Sequence, residues 1–203
     1  MRANQIVVMV LLFCMQLIIA GVTHAEQAFL ITNGELERPT GYREWIYVGT
    51  PVTPNDMNNG KAAFPELHNV YIDPTSWSHW KNEGEFRDGT IIIKELVSVG
   101  SKSAVSGNGY FMGDFIGLEA TIKSKTQFPN EPGNWAYFSF STADHKTLTK
   151  TAKAFPAAAC NSCHAAAAAD DFVFTQYYPV LNQGKAMGNK ASGGHADSLT
   201  PNK

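Results

Sequence analysis

Hydrophobic stretches rich in aromatic and β-branched residues alternate along the chain with short polar stretches. Five of them are long, and they cover residues 42–48, 67–72, 90–99, 110–122 and 135–140. Their composition is typical of β-strands. Turn-forming sequences such as Asn-Asn-Gly at 58–60 and Gly-Asn-Gly at 107–109 separate them. The pattern predicts a mainly β, α+β fold organised around a meandering antiparallel sheet.

Two segments are predicted to be helical. The first has Asp73 as its N-cap, Pro74 at the first helical position, a body reaching about Asn82, and Gly84 as its stop. The second is rich in alanine, the strongest helix former, at residues 157–159 and 165–169. Low-complexity filler is the alternative for this tract, but Phe155 and the apolar segment 172–181 bracket it with core-forming residues.

Both ends of the chain differ from its middle. Arg2, an apolar run over residues 6–20 and the small residues around Ala25 predict a secretory signal over residues 1–25. A retained membrane anchor is the alternative, although the run is short for a span of about 20 residues. Beyond Leu181, glycines among polar residues predict a flexible tail over residues 183–203, in which His195 is expected to be solvated.

The remaining residues, 26–182, are predicted to form one domain. A hydrophobic content of 44% and a charged content of 17% describe a globular chain with a core. The formal net charge of −2 provides no basic field, so nucleic-acid binding is not expected. After removal of the signal, no membrane association is expected either.

Two cysteines remain after the predicted signal, with its Cys14, has been removed. Cys160 and Cys163 could form a disulfide, a redox-active pair or half of a zinc site. His164 follows Cys163 directly and completes the Cys-x-x-Cys-His sequence of c-type haem attachment. The motif predicts one haem c per chain, with two thioether bonds from the cysteines and His164 as the iron ligand.

No methionine is well placed to be a second axial ligand. Met57 lies in a predicted turn, Met112 in a predicted strand and Met187 in the predicted tail. The sequence therefore favours an open, five-coordinate iron. Such an iron can bind a small molecule, whereas an iron with two protein ligands mainly transfers electrons.

Several segments closely resemble the cytochrome P-460 and cytochrome c′-β family. They are YREW at 42–45, HNVYIDP at 68–74, GEFRDGTIIIKE at 84–95, NEPGNWAYF at 130–138, and the late haem motif followed by residues 174–181. The resemblance extends over residues 34–181. It implies a periplasmic, mainly antiparallel β homodimer whose five-coordinate haem oxidises hydroxylamine to nitrous oxide through iron-nitrosyl species. It also implies a soluble cytochrome as electron acceptor.

The resemblance gives one further site residue. A lysine of the family bonds covalently to a meso carbon of the haem, and position matching assigns this lysine to Lys94, as a cofactor-binding and catalytic residue. Strand alternation places Lys94 between Ile92 and Leu96 on a largely apolar face, where its ammonium is disfavoured. From the pattern alone, an edge charge or a lysine extending its amine to water is the alternative.

Two other functions remain open. Relatives without the cross-link, the cytochromes c′-β, bind nitric oxide, and a plain electron carrier is the third possibility. Efficient oxidases of the family place a carboxylate over the distal face from the segment before the haem motif, but residues 153–160 contain no acid. The resemblance therefore implies slow turnover. His68, His79 and His145 have no partner that the sequence identifies, so surface or structural roles are expected for them.

Overall fold

The computed structural model describes residues 28–191, and the side chains of residues 28–185. The predicted signal over residues 1–25 and His195 of the predicted tail lie outside the described residues.

Strands make up most of the regular structure in the described part of the chain. In chain order they are β1 (Ile31–Thr32), β2 (Glu35–Glu37), β3 (Ile46–Gly49), β4 (Leu67–Ile72), β5 (Ile91–Val99), β6 (Ser103–Ala104), β7 (Gly107–Asn108), β8 (Met112–Lys123), β9 (Trp135–Ser139) and β10 (Thr151–Lys153). The α-helices are α1 (Pro74–Glu83), α2 (Ala157–Ala167) and α3 (Pro179–Ala191). The fold is α+β and mainly β, as the sequence predicts.

The central sheet has five antiparallel strands in the order β3-β4-β5-β8-β9. Each of the five predicted strand segments contributes one of them. The first segment is partly different, because residues Tyr42–Glu44 form a 3₁₀ turn after Gly41, whose φ of +69° reverses the chain. The strand therefore begins at Ile46, so the prediction that it begins at Tyr42 was wrong for residues 42–45.

Helix α1 follows its sequence signals closely. The carboxylate of Asp73 accepts a hydrogen bond from the Ser76 N–H at 2.9 Å, and Pro74 occupies the first helical position. Gly84 ends the helix with a φ of +72°, a conformation that glycine adopts without the steric cost of a Cβ. The helix start and stop were thus determined locally.

The two faces of the central sheet bury different cores. One face carries Ile91, Ile93 and Leu118, and it packs on the small sheet of β1, β2 and β10 through residues such as Leu36. The other carries Ile92, and it packs on the helices through residues such as Trp80 of α1 and Leu181 of α3. We call this second face the helix face. The alternation along β5 therefore decides which side chains meet the helices.

Helix α3 extends across residue 183, where the predicted tail begins. The helix continues through Ala191, so the expected boundary before residue 183 falls inside it. Gly184 is buried, and a Cβ at this position would lie 2.6 Å from the Trp77 ring. The Trp80 Nε1–H donates to the Leu181 carbonyl at 2.8 Å. A glycine that reads as a flexible position in sequence thus allows close packing of α3 on α1.

None of the helices within residues 28–191 combines the length and the hydrophobicity needed to cross a membrane.

Candidate functional site

Helix α2 carries the whole Cys-x-x-Cys-His motif. Its Pro156 N-cap begins the helix, and it ends at Ala167. Positions 160, 163 and 164 are separated by three and four residues, so Cys160, Cys163 and His164 lie on neighbouring rows of the helix surface. Cys160 is half-buried, Cys163 is exposed, and both thiols are free. Within residues 28–191 the pair is thus not used in a disulfide, and both sulfurs are available to a cofactor.

Asn161 fixes helix α2 against the central sheet. Its side chain is almost fully buried, and its Nδ2 donates to the Trp135 carbonyl and to the Glu131 carboxylate, each at 3.3 Å. Trp135 begins β9, and Glu131 precedes the short 3₁₀ turn before it. This contact turns the motif toward the helix face. The sequence gives no signal for this contact, because the partners of Asn161 come from a segment about 30 residues earlier in the chain.

His164 lies between two aromatic rings. The centroid of its imidazole is 4.6 Å from that of Tyr137 and 4.7 Å from that of Phe174. Its Nδ1 is 2.7 Å from the Phe172 carbonyl oxygen. Burial lowers the pKa of His164, and the hydrogen bond to Phe172 opposes this effect. A neutral imidazole that donates from Nδ1 has its lone pair on Nε2, which suits it to bind a metal.

Lys94 lies on the same side of the sheet as the motif. The register places it opposite Val70 on β4 and Glu119 on β8, and Ile92 two residues before it belongs to the core of the helix face. Burial raises the pKa of Cys160 and lowers that of His164, and the positive charge of Lys94 has a smaller, lowering effect on both. The tertiary structure thus brings the predicted lysine and the predicted haem motif to one face.

The immediate surroundings of Lys94 differ from the apolar environment that the sequence suggested. Its Nζ lies 2.6 Å from the Glu119 carboxylate, and the two side chains are 28% and 30% exposed. The Nζ also lies 5.4 Å from the centroid of the Phe64 ring. The lysine is therefore paired with an acid. The sequence analysis missed Glu119 because the strand register that brings the two residues together is not visible in the sequence.

His68 has a partner that the sequence did not identify. Its Nε2 lies 3.2 Å from the Glu66 carboxylate, and both side chains are more than four-fifths buried. Burial favours a higher pKa for Glu66, but the hydrogen bond with His68 and the charge of Lys94 together hold that pKa below its ordinary value. His79 is half-buried on α1, and His145 is exposed. Of these three histidines, His68 is the one linked to Lys94, because both act on the Glu66 carboxylate.

The segment before the motif lacks an acid, but the helix geometry shows which of its alanines shares a face with the motif. Ala157 and Cys160 are both half-buried, whereas Ala158 and Ala159 are exposed. Residues 157, 160, 161 and 164 follow the spacing of a single helix face. A side chain at position 157 would therefore project from the face that carries Cys160 and His164.

The residues of this site fit a haem. Free thiols, an imidazole with an available Nε2 and flanking aromatic rings are the groups that hold and cover such a cofactor. The hydroxyl of Tyr137 is buried without a hydrogen-bond partner in the described part of the chain, and its burial raises its pKa. A bound group with polar atoms at this position would satisfy the hydroxyl.

The fold and the site define a mainly β haem-binding protein. The cytochrome P460 family model matches residues 39–175, more than half of the chain, so the chain belongs to the cytochrome P460 family. It is therefore a haem protein of the P460 type, in a family of oxidoreductases. No curated protein matches the chain.

Proposed function

We propose that this chain is an exported mono-haem cytochrome that oxidises hydroxylamine to nitrous oxide at a lysine-cross-linked haem c. The observation that carries the proposal is the position of Lys94 and Glu119, which lie 2.6 Å apart on the face that also carries the haem motif. The bound haem supplies an iron that accepts electrons from a small nitrogen compound and passes them on.

The motif residues hold the cofactor in this proposal. Burial, and next the carboxylate of Glu119, raise the pKa of the Cys160 thiol, so the thiol stays protonated at neutral pH. Each thiol of Cys160 and Cys163 adds across one vinyl group, its hydrogen going to one vinyl carbon and its sulfur to the other. His164 would hold the iron through Nε2, because its Nδ1 is occupied by the Phe172 carbonyl.

Lys94 is the residue that we propose to bond to the haem. Such a bond between Nζ and a meso carbon would replace one N–H and one C–H, so two electrons and two protons would leave. An external two-electron oxidant would take the electrons. Glu119 is placed to accept a proton from Nζ, since its carboxylate is already within hydrogen-bond distance. Glu119 therefore has a role that the sequence alone did not suggest.

The same carboxylate is then available to substrate. Once Nζ is bonded covalently and uncharged, Glu119 loses its ion-pair partner. Glu119 is then an unpaired carboxylate on the helix face. Hydroxylamine must release protons as it is oxidised, and a carboxylate can accept them. We propose that Glu119 accepts these protons. Turnover is slow in this proposal, because residues 153–160 contain no acid that would provide a second proton acceptor.

A second candidate function is nitric-oxide binding, as in the cytochromes c′-β. The observation in its favour is the segment before the motif, because residues 153–160 contain no acid and so lack the carboxylate expected of an efficient oxidase. Lys94 and Glu119 would then form an ion pair only. In that case Lys94 remains a free amine in the holoprotein.

The experiment that separates the two functions uses the purified holoprotein. Its ferrous spectrum is recorded, and hydroxylamine is then added with an electron-accepting dye. A band at unusually long wavelength together with dye reduction supports the oxidase. An ordinary five-coordinate spectrum, nitric-oxide binding and no dye reduction would support the second function.

The predicted partners and location are part of the proposal. Export depends on residues 1–25, and a soluble cytochrome is the proposed electron acceptor. We also propose a homodimer. Size-exclusion chromatography with light scattering of the holoprotein tests this assembly directly.

A further inference from the structure

The turn that follows helix α2 has an unusual backbone. Asp170 and Val173 exchange two backbone hydrogen bonds, with Val173 N–H to Asp170 O at 2.7 Å and the reverse bond at 3.3 Å. Between them, Asp171 has a φ of +41° and Phe172 a φ of +64°. Two consecutive positive φ angles are typical of a type I′ turn, which favours Asn-Gly. A phenylalanine at the second position is strained, because its Cβ disfavours this region.

The carboxylate of Asp171 anchors this strained turn to the central sheet. It pairs with the Nζ of Lys123 at the end of β8, and it accepts a hydrogen bond from the Trp135 Nε1–H at 3.3 Å. Trp135 is fully buried, and the Lys123 side chain is only 13% exposed. Packing on the helix face therefore holds both partners in place.

The Phe172 side chain holds the turn from the other direction. Its ring packs against Gly133, where a Cβ would lie 2.6 Å from two ring carbons. Gly133 itself has a φ of +62°. The ring therefore occupies space that a glycine leaves open, in the 3₁₀ turn just before Trp135.

The consequence of this arrangement is the direction of one carbonyl group. The strained residue Phe172 is the one whose carbonyl lies 2.7 Å from His164 Nδ1. Hydrogen bonds to the outer nitrogen of a metal-binding histidine fix its tautomer and raise its basicity. The strained backbone of Phe172 persists because the contacts of Asp171 and of the Phe172 ring hold it. Backbone strain that is maintained in this way is typical of functional sites.

We propose that Asp171 is a positioning residue that aims the Phe172 carbonyl at His164 and thereby sets the electron donation of His164 to the haem iron. The inference rests on the proposed role of His164 as the iron ligand. With Asp171 anchored, the Nδ1–H bond is short and the imidazole is a strong donor, which stabilises ferric iron. Without the anchor, the turn relaxes, the bond weakens and ferrous iron is favoured.

The test compares holoproteins by reduction potential and by the iron–histidine stretching band of the ferrous state. Asp171→Ala should keep one covalently bound haem per chain. At a fixed solution potential its ferrous-to-ferric ratio should rise about tenfold, which corresponds to an upward shift of about 59 mV for a one-electron couple. The iron–histidine band should move to lower frequency. Asp144→Ala is the matched control, because Asp144 also anchors a turn but has no contact with the motif.

A second variant keeps the inference testable if Asp171→Ala does not accumulate. Asp171→Asn retains an oxygen for Trp135 and tolerates positive φ, but it loses the charge that pairs with Lys123. It should show a shift of the same sign and smaller size. Unchanged potential and unchanged iron–histidine frequency in the variant that accumulates, with only a lower melting temperature, would overturn the inference. Retention of the iron–histidine band in His164→Ala would instead contradict the role of His164 as iron ligand in the proposed function.

Discussion

Lys94 and Glu119 face each other directly across β5 and β8, with 2.6 Å between Nζ and the carboxylate. Both side chains are about seven-tenths buried, and they lie on the face against which helix α2 packs its haem motif. A cross-strand pair of opposite charge stabilises a sheet by roughly 0.2–1 kcal/mol. A pair of that strength does not hold Lys94 so tightly that it would prevent the bond to haem in the proposed function.

Lys94→Leu tests the proposed cross-link. The variant should keep its thioether-bound haem, because Cys160 and Cys163 are unchanged, but lose the long-wavelength ferrous band and most hydroxylamine oxidation. Proteolysis of the wild-type holoprotein should yield one peptide set in which the Lys94 segment and the motif segment are joined through haem. Lys102→Leu is the control, since Lys102 forms an exposed ion pair with Asp56. An unmodified Lys94 peptide in full yield from active protein would refute the cross-link.

Glu119→Gln tests the proposed proton acceptor. The amide preserves the shape of the carboxylate but accepts protons very poorly, so bond formation at Lys94 should slow. We expect a mixed product, with both free and haem-bound Lys94 peptides in the mass spectrum, and oxidation slower by a factor of about 100. A holoprotein with complete cross-linking and normal turnover would show that Glu119 has neither role.

Ala157→Glu tests whether a second carboxylate accelerates turnover. Position 157 lies on the half-buried face of α2 with Cys160, whereas Ala158 is exposed. A positioned base contributes a factor of about 100 or more. We therefore expect Ala157→Glu to increase hydroxylamine oxidation by about that factor, and Ala158→Glu to leave it unchanged. Equal rates in both variants and the parent, with normal spectra, would contradict the idea of a missing base.

Gly133→Ala tests the packing beneath the turn at Phe172. The new Cβ would both adopt a φ of +62° and collide with the Phe172 ring. We expect a loss of about 2–4 kcal/mol in the free energy of unfolding, measured with urea. Gly34→Ala separates the two causes, because Gly34 has a φ of +79° and, among the described residues, no neighbour within 4 Å of a Cβ. It should lose only about 1–2 kcal/mol. Equal losses in the two variants would show that the ring moves freely.

Glu66→Gln tests the pairing with His68 through its pH dependence. The folded pKa of Glu66 is below its ordinary value of 4.5, so the folded state binds this proton less readily than the unfolded state. The stabilisation is therefore complete above the unfolded pKa and is lost as pH falls through the folded pKa. Urea unfolding should show a deficit of up to about 1 kcal/mol in the variant at pH 7. The deficit should shrink below pH 4.5. A deficit that is the same at all pH values would indicate lost packing instead.

Much of the fold was predictable because its signals are local. Asp73 and Gly84 satisfy the ends of α1 with atoms a few residues away, and the aromatic and β-branched composition of residues 67–72 and 91–99 is a property of each strand by itself. The haem motif is also local, since three residues within one helix define it.

The site depended on contacts that no local signal records. Glu119 meets Lys94 only through the register of β5 and β8, and Gly184 reads as flexible in sequence although it packs against Trp77. The sequence by itself determined the strand composition, the caps of α1 and the attachment motif, because neighbouring residues decide them. Only the tertiary structure paired Lys94 with an acid, because Glu119 comes from another strand that packing brings alongside β5. The contact of the Phe172 carbonyl with His164 spans only eight residues, but it depends on positive φ angles that no sequence pattern signals.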